Sequence, residues 1–306
     1  MSKPLNPNPR ADIYQRVTDA IIINLKQGVR PWTKPWATEP SSTVRPLRHD
    51  GTPYRGINVL ILWSQAATCN YRSSTWMTYR QANVLGGQVR KGEQGTTVVY
   101  ANVIERSDKT AQIDNTAIDE NVTTRIPVLR AYTVFNVDQI DGLSQTAISQ
   151  PTPTDSLSGR IERADAFITA SGATIVHRGN RACYIPSVDR IEMPPYRQFI
   201  DSPTASAAEG YYATLLHELV HWTSPKHRCD RDLGKRFGDN VYAREELVAE
   251  IGAAFLCADL GIALESRPDH AAYLASWLTV LKADKRAIFR AARLAQKAVD
   301  WLTEPR

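Results

Sequence analysis

Cysteine is scarce and badly spaced for metal or disulfide chemistry. The 306-residue chain has four, at Cys69, Cys183, Cys229 and Cys257, and no two stand in a CxxC pattern. They read as free thiols of a reducing cytoplasm, not as a zinc ribbon or a disulfide framework. Long apolar runs are absent as well. The longest, Val59-Leu-Ile-Leu-Trp63, falls far short of the ~20 residues that a membrane helix needs, so no membrane partner is expected. The first ten residues, rich in Pro and Asn, lack the apolar core of a secretory signal. No internal repeat and no standard nucleic-acid-binding motif is present. Acidic residues are few in the first hundred, which hold 5 Asp and Glu against 13 Lys and Arg, while residues 151–306 hold 20 of each. A basic part joined to a neutral part points to an anionic partner for the former, nucleic acid first.

Against this background one stretch stands out. Ala213-Thr-Leu-Leu-His217-Glu218-Leu-Val-His221-Trp222 carries an HExxH motif inside an apolar helical run. Histidines at i and i+4 share a helix face, so both imidazoles can reach one metal ion. Glu218 follows His217 and can act as general base on a water held beside them, the catalytic role in this motif. Two histidines leave one protein ligand to find. Glu246 and Glu250 lie four apart in Arg244-Glu-Glu-Leu-Val-Ala-Glu-Ile-Gly-Ala-Ala-Phe255, on one otherwise apolar helix face. Buried carboxylates there need a charge to answer them. Glu245, beside them, is expected in a surface salt bridge. His227 is the alternative third ligand.

This arrangement resembles two groups of metallopeptidases. Gluzincins pair HExxH with a later helix whose first acid binds metal and whose acid four residues on orients a histidine. By that resemblance Glu246 is the ligand and Glu250 lies behind it; the reversed assignment stays open. Metzincins space a third histidine as His227 is spaced here, but they need a glycine where this chain has Ser224, and Met193 is the last methionine. A His2Glu site implies zinc, with another divalent ion such as Mn2+ as an alternative. Tyr242, His227 and Tyr211 are candidates for stabilising an oxyanion. The strand Arg181–Pro186 or Arg190–Pro194 precedes the helix where zincins pair an edge strand with a peptide.

The first hundred residues interleave rings with cations: Arg30-Pro-Trp32-Thr-Lys34-Pro-Trp36, Tyr54-Arg55, Tyr71-Arg72, and the turn-rich basic loop 88–95 with Arg90 and Lys91. Single-stranded nucleic acid is gripped by such pairs, rings stacking on bases and cations meeting phosphates. Trp63 and Tyr100, within apolar runs, are expected in the core.

Helices are expected over 11–27, 59–67, 78–85, 159–171, 206–222 and 243–260, with a last one over 271–302 broken near 283–284. Strands are expected over 71–77, 96–104, 126–135, 174–178, 182–186 and 189–195, with a long hairpin loop over 107–125. The Ser/Thr/Pro/Gln-rich run 141–158 reads as a linker. The fold class is therefore α+β. Residues 1–140 form an N-terminal α+β domain with a small antiparallel sheet, and residues 159–306 form a C-terminal zincin-like, gluzincin-type metallopeptidase domain, each with its own core.

Asp12-Ile-Tyr-Gln-Arg-Val-Thr-Asp19, Gly28-Val-Arg-Pro-Trp32, Tyr54-Arg-Gly-Ile-Asn58, Ser74-Thr-Trp-Met-Thr78, Val89-Arg-Lys-Gly-Glu-Gln-Gly95 and Val134-Phe-Asn-Val-Asp-Gln-Ile140 resemble the first domain of ArdC-type antirestriction proteins of conjugative plasmids, and the N-terminal region of TraC-type primases. His217-Glu-Leu-Val-His-Trp222 and Tyr242–Phe255 extend the resemblance into the second domain. After the helix the family reads His-Trp-Thr-Gly-His; this chain reads His221-Trp-Thr-Ser-Pro-Lys-His227, a longer loop. The resemblance implies a single-stranded DNA-binding domain joined to a zincin-like domain, and protection of incoming plasmid DNA from host restriction. Two rivals are a DNA-tethered zinc protease that cleaves a host restriction component or another protein, and a DNA-binding protein with a purely structural metal site. Oligomeric state is not legible.

Overall fold

A computed structural model describes residues 12–27, 32, 44–107, 123–144, 156–234, 239–264 and 270–304. Helix α1 (Ile13–Lys26) is amphipathic: Thr18, Ile21, Ile22 and Leu25 face inward, and Asp12 caps its start by accepting from Gln15 N. Helix α2 (Ile57–Cys69) buries nearly its whole first half, Ile57 to Leu60 and Leu62, and stops at Asn70 in the left-handed conformation. Between and after them lie the short strands β1 (Leu47–Arg48) and β2 (Thr75–Met77). Helix α3 (Tyr79–Val84) starts on a reciprocal cap between Thr78 and Gln81.

The 88–95 stretch is not wholly loop. Its start forms β3 (Gln88–Val89), which pairs antiparallel with β6 (Ile140–Asp141) after the chain turns at Val137–Gln139. The long arms β4 (Thr96–Ser107) and β5 (Thr123–Asn136) make an antiparallel hairpin. Both run past their expected ends, because β-branched and polar residues continue the pairing from Ile104 to Ser107. The four-stranded sheet has the order β1-β2-β5-β4, with β1 and β2 parallel.

Helix α4 (Leu157–Ser171), capped by Ser156, begins inside the expected linker; residues 145–155 of that linker lie outside the described residues. A three-stranded sheet follows from β7 (Thr174–His177), β8 (Cys183–Ile185) and β9 (Arg190–Met193). Its order is β7-β9-β8, so β8 is an edge, antiparallel to β9. Four helices follow among the described residues: α5 (Ala207–Trp222), α6 (Asn240–Leu260), α7 (His270–Ala283) and α8 (Ala287–Thr303).

Separate cores for the two halves are not what forms. One buried cluster holds Ile21, Leu25, Trp32, Leu60 and Val98 together with Leu216, Leu247, Phe255, Trp277 and Ile288. The small sheet cannot cover the apolar faces of α1 and α2, so α1 packs on α7 and α2 on α8. Polar contacts seal the seam. Thr18 Oγ1 donates to Lys285 O at 2.8 Å, and buried Arg45 pairs with Asp259 at 2.7 Å, donates to Gln296 at 3.0 Å and lies over the Phe255 ring.

Candidate metal centre

Helix α5 starts on a capping box in which Ser206 and Glu209 satisfy each other's backbone N–H groups. From there its face turns His217, Glu218 and His221 into the molecule, where all three are buried. Helix α6 crosses closely over this face. Gly252 permits the approach, since a Cβ there would stand 2.8 Å from Val220 Cγ2. Asp239 caps α6 and Gly261, at φ +73°, ends it.

The crossing sets Glu246 opposite both histidines. Its Oε2 lies 3.5 Å from His217 Nε2 and its Oε1 lies 3.5 Å from His221 Nε2. Among the described residues, His217, His221 and Glu246 form the one group with metal-ligand geometry, their donor atoms all within 4.8 Å of one another. Each imidazole is backed by a second carboxylate on its other nitrogen. His217 Nδ1 faces Glu250 Oε2 at 3.6 Å, and His221 Nδ1 meets Glu245 Oε1 at 3.3 Å. With an ion held between Glu246 and the two Nε2 atoms, each Nδ1 proton would point to the carboxylate behind it.

Glu245 departs from expectation. It is buried, not at the surface, and held by Arg231, whose Nη2 lies 2.9 Å away and whose Nε lies 3.1 Å away. Arg231 also donates to Val220 O at 2.7 Å and to Thr223 Oγ1 at 2.8 Å, pinning the end of α5. The first half of the chain reaches the site too: Trp32 Nε1 donates to Glu250 Oε1 at 3.2 Å.

Electrostatics favour positive charge here. Burial alone opposes a charged His221, but Glu245 and Glu246 outweigh it and push its pKa up to about 10. Burial likewise opposes the charged Glu246, yet the two histidines hold its carboxyl well below the usual range. Two imidazoles and a carboxylate, buried and oriented from behind, fit a divalent cation.

Glu218 lies between α5 and the edge strand, where its Oε2 accepts from Tyr184 N–H at 2.9 Å. Its neighbour Cys183 has a thiol raised by burial and then by the Glu218 charge, so it stays protonated. Tyr242 stands one turn before Glu246 on α6, its hydroxyl 3.2 Å from that of Tyr273. Burial, Tyr273 and Glu246 raise its phenol, which keeps it a proton donor. Tyr211 is engaged elsewhere, with His177 Nε2 at 2.8 Å.

His227 stands apart from the three-donor group and is exposed. The loop after α5 folds back on itself, Cys229 N donating to Thr223 O and Arg231 N to Ser224 O. That register sends Arg228, not His227, back over Trp222, with its guanidinium 3.6 Å from the ring.

The expected DNA contacts fare unevenly. Arg30, Lys34 and Trp36 lie outside the described residues. Trp32 is buried at 1% exposure against Trp277, and Tyr54 at 3%, with Arg48 over its ring; neither ring can serve as a surface platform. The reason is the shared core, which draws both rings in from their polar neighbours. Tyr71 is half-buried, edge-on to Trp76. Arg55 is exposed and pairs with Asp300. Arg90 pairs with Glu93 at 2.8 Å and with Asp141 at 3.3 Å. Arg72 and Lys91 are exposed.

Four contributors escaped sequence reasoning: Arg231, Glu245, the Tyr184 N–H and Trp32. Only Glu245 left a trace, a third acid in the apolar 243–255 run.

Comparison with known proteins covers both halves. Residues 11–135 match the N-terminal domain of anti-restriction factor ArdC, and residues 162–294 match the zincin-like metallopeptidase family. The chain is 41% identical to uncharacterized protein y4eC of Sinorhizobium fredii, over 99% of this chain and 95% of that protein. It is 40% identical to a DNA primase TraC of Escherichia coli, over 97% of this chain but only 20% of the primase. The metal-free crystal structure of the antirestriction ArdC protein from R388 plasmid superposes with a TM-score of 0.78 at 46% identity, covering 96% of this chain and 97% of that one. Its Mn(II)-bound structure gives 0.75 at 47%, covering 96% and 98%.

Proposed function

Because the chain belongs to the ArdC antirestriction family and carries a zincin-like domain, we propose that it protects incoming plasmid DNA from host restriction during conjugation, binding that DNA as a single strand in the cytoplasm. The observation that carries this reading is the similarity to the R388 protein, which extends over 96% of the chain and so spans both the basic first half and the metal centre. The 13-to-5 excess of basic residues in the first hundred supports an anionic partner there.

In the second half, His217, His221 and Glu246 would hold the divalent ion, zinc or Mn2+, with Glu250 and Glu245 orienting the histidines. Such an ion supplies Lewis acidity, polarising a carbonyl and acidifying water. Glu218 accepts the proton of the attacking water, and Tyr184 N–H holds its carboxylate in place. The Tyr242 hydroxyl is the donor offered to a developing oxyanion.

A second reading, a DNA-tethered metallopeptidase acting on a restriction component or another protein, draws support from that placement of Glu218. A purely structural metal needs no such base. The test is conjugative transfer into restricting and non-restricting recipients. Supplying the chain should raise transfer into the restricting recipient alone; equal transfer with and without it would refute the protective role. Glu218→Gln should keep metal binding. If that variant protects as well as the wild type, proteolysis is not how protection works.

A further inference from the structure

A cavity of about 380 Å³ opens on the four-stranded sheet, with Arg48, Asp50, Tyr54, Tyr100 and Tyr132 in its walls. Its aromatic surface is partly open. Tyr132 is 43% exposed and meets Tyr100 edge-on, with ring centroids 5.5 Å apart. The two rings share a face by strand register, since Tyr132 lies opposite Val98 and Tyr100 opposite Arg130 on the paired strands. That register also puts Arg130, an exposed cation, on the same face beside Tyr100.

Arg48 is the unusual member. Its guanidinium lies 5.4 Å from the Tyr100 ring and 5.6 Å from the Tyr54 ring, and its buried Nε finds no hydrogen-bond acceptor among the described residues. A buried donor left unmatched is costly, so the site favours a ligand that brings an acceptor into the cavity. The ligand must also present a flat face to two tyrosines and carry negative charge past Arg130. A nucleobase on a single strand has all three properties. A base paired in a duplex does not, because its faces are already stacked.

We propose that this face binds single-stranded DNA by taking one unstacked nucleobase against Tyr100 and Tyr132. A ring nitrogen or carbonyl of the base accepts from the Arg48 guanidinium, and the adjoining phosphate pairs with Arg130. The assignment rests on the reading of the first half as a single-strand binder.

The experiment is fluorescence anisotropy on the full chain with two labelled strands, an ordinary oligodeoxynucleotide and the same backbone with abasic sites. Wild type should prefer the base-bearing strand. Tyr132→Ala should weaken binding to it by roughly 5- to 100-fold and leave the abasic strand almost unaffected; Tyr132→Phe should restore binding. Arg48→Met should act in the same direction. If wild type binds the ordinary strand and both variants bind it equally well, the pocket is wrong while single-strand binding stands. Equal binding of both strands by wild type also overturns the pocket. If wild type binds neither strand, both readings fall. Should Tyr132→Ala lower the thermal midpoint, photocrosslinking of wild type to an iodouracil-substituted strand decides: adducts on Tyr100 or Tyr132 support the site, and adducts confined to other parts of the chain overturn it.

Discussion

Trp32 Nε1 donates to Glu250 Oε1 at 3.2 Å, and the other oxygen of Glu250 stands 3.6 Å from His217 Nδ1. A residue of the basic half therefore sits two contacts from a candidate metal ligand 185 positions later in the chain. Trp32→Phe keeps a ring against Trp277 but removes the N–H together with part of the buried indole. Glu250 then loses a donor, and His217 is held less firmly. Mn(II) titration should show affinity reduced by about tenfold, beside a lower thermal midpoint from the lost indole volume. Unchanged Mn(II) affinity would mean that the contact serves packing alone.

Arg231 and Glu245 form a buried pair, with side chains 2% and 4% exposed. Removing the cation leaves a buried carboxylate facing His221 without its main partner. Arg231→Ala should destabilise the fold by about 3–5 kcal/mol in urea denaturation. Pairing Arg231→Met with Glu245→Gln should recover most of that loss, because neither charge is then stranded. The double variant should still bind metal more weakly than wild type, because a glutamine backs His221 less well than a carboxylate.

Gly252 makes room for Val220 where α6 crosses α5. Alanine would bring its methyl to 2.8 Å from Val220 Cγ2, so the helices must part. Gly252→Ala should cost about 1–3 kcal/mol and widen the gap between Glu246 and the two histidines. Gly252→Ala combined with Val220→Ala should relieve the clash and restore Mn(II) binding, while each change alone weakens it. A Gly252→Ala variant with wild-type stability would contradict the close packing.

Much of this was legible in the chain itself. The 3.6-residue repeat placed His217 and His221 on one face, because helical spacing is a local property that no tertiary contact needs to supply. Ser206 with Glu209, Thr78 with Gln81, and Gly261 close helix ends by the same local chemistry. The four-residue spacing of Glu246 and Glu250 put both on one face of α6. Spacing could not say which of them stands opposite the Nε2 atoms, since that depends on where α6 crosses α5. The crossing sets Glu246 there and leaves Glu250 behind His217. Nor could local pattern place Trp32, Tyr54 or Glu245 inside. Trp32 is covered by Trp277 and Glu250 from the other half of the chain, Tyr54 lies under Arg48, and Glu245 is buried against His221 and Arg231. Periodicity and capping are written in adjacent residues, whereas the partners of Glu250 and Arg48 are decided by a core shared between segments far apart in sequence.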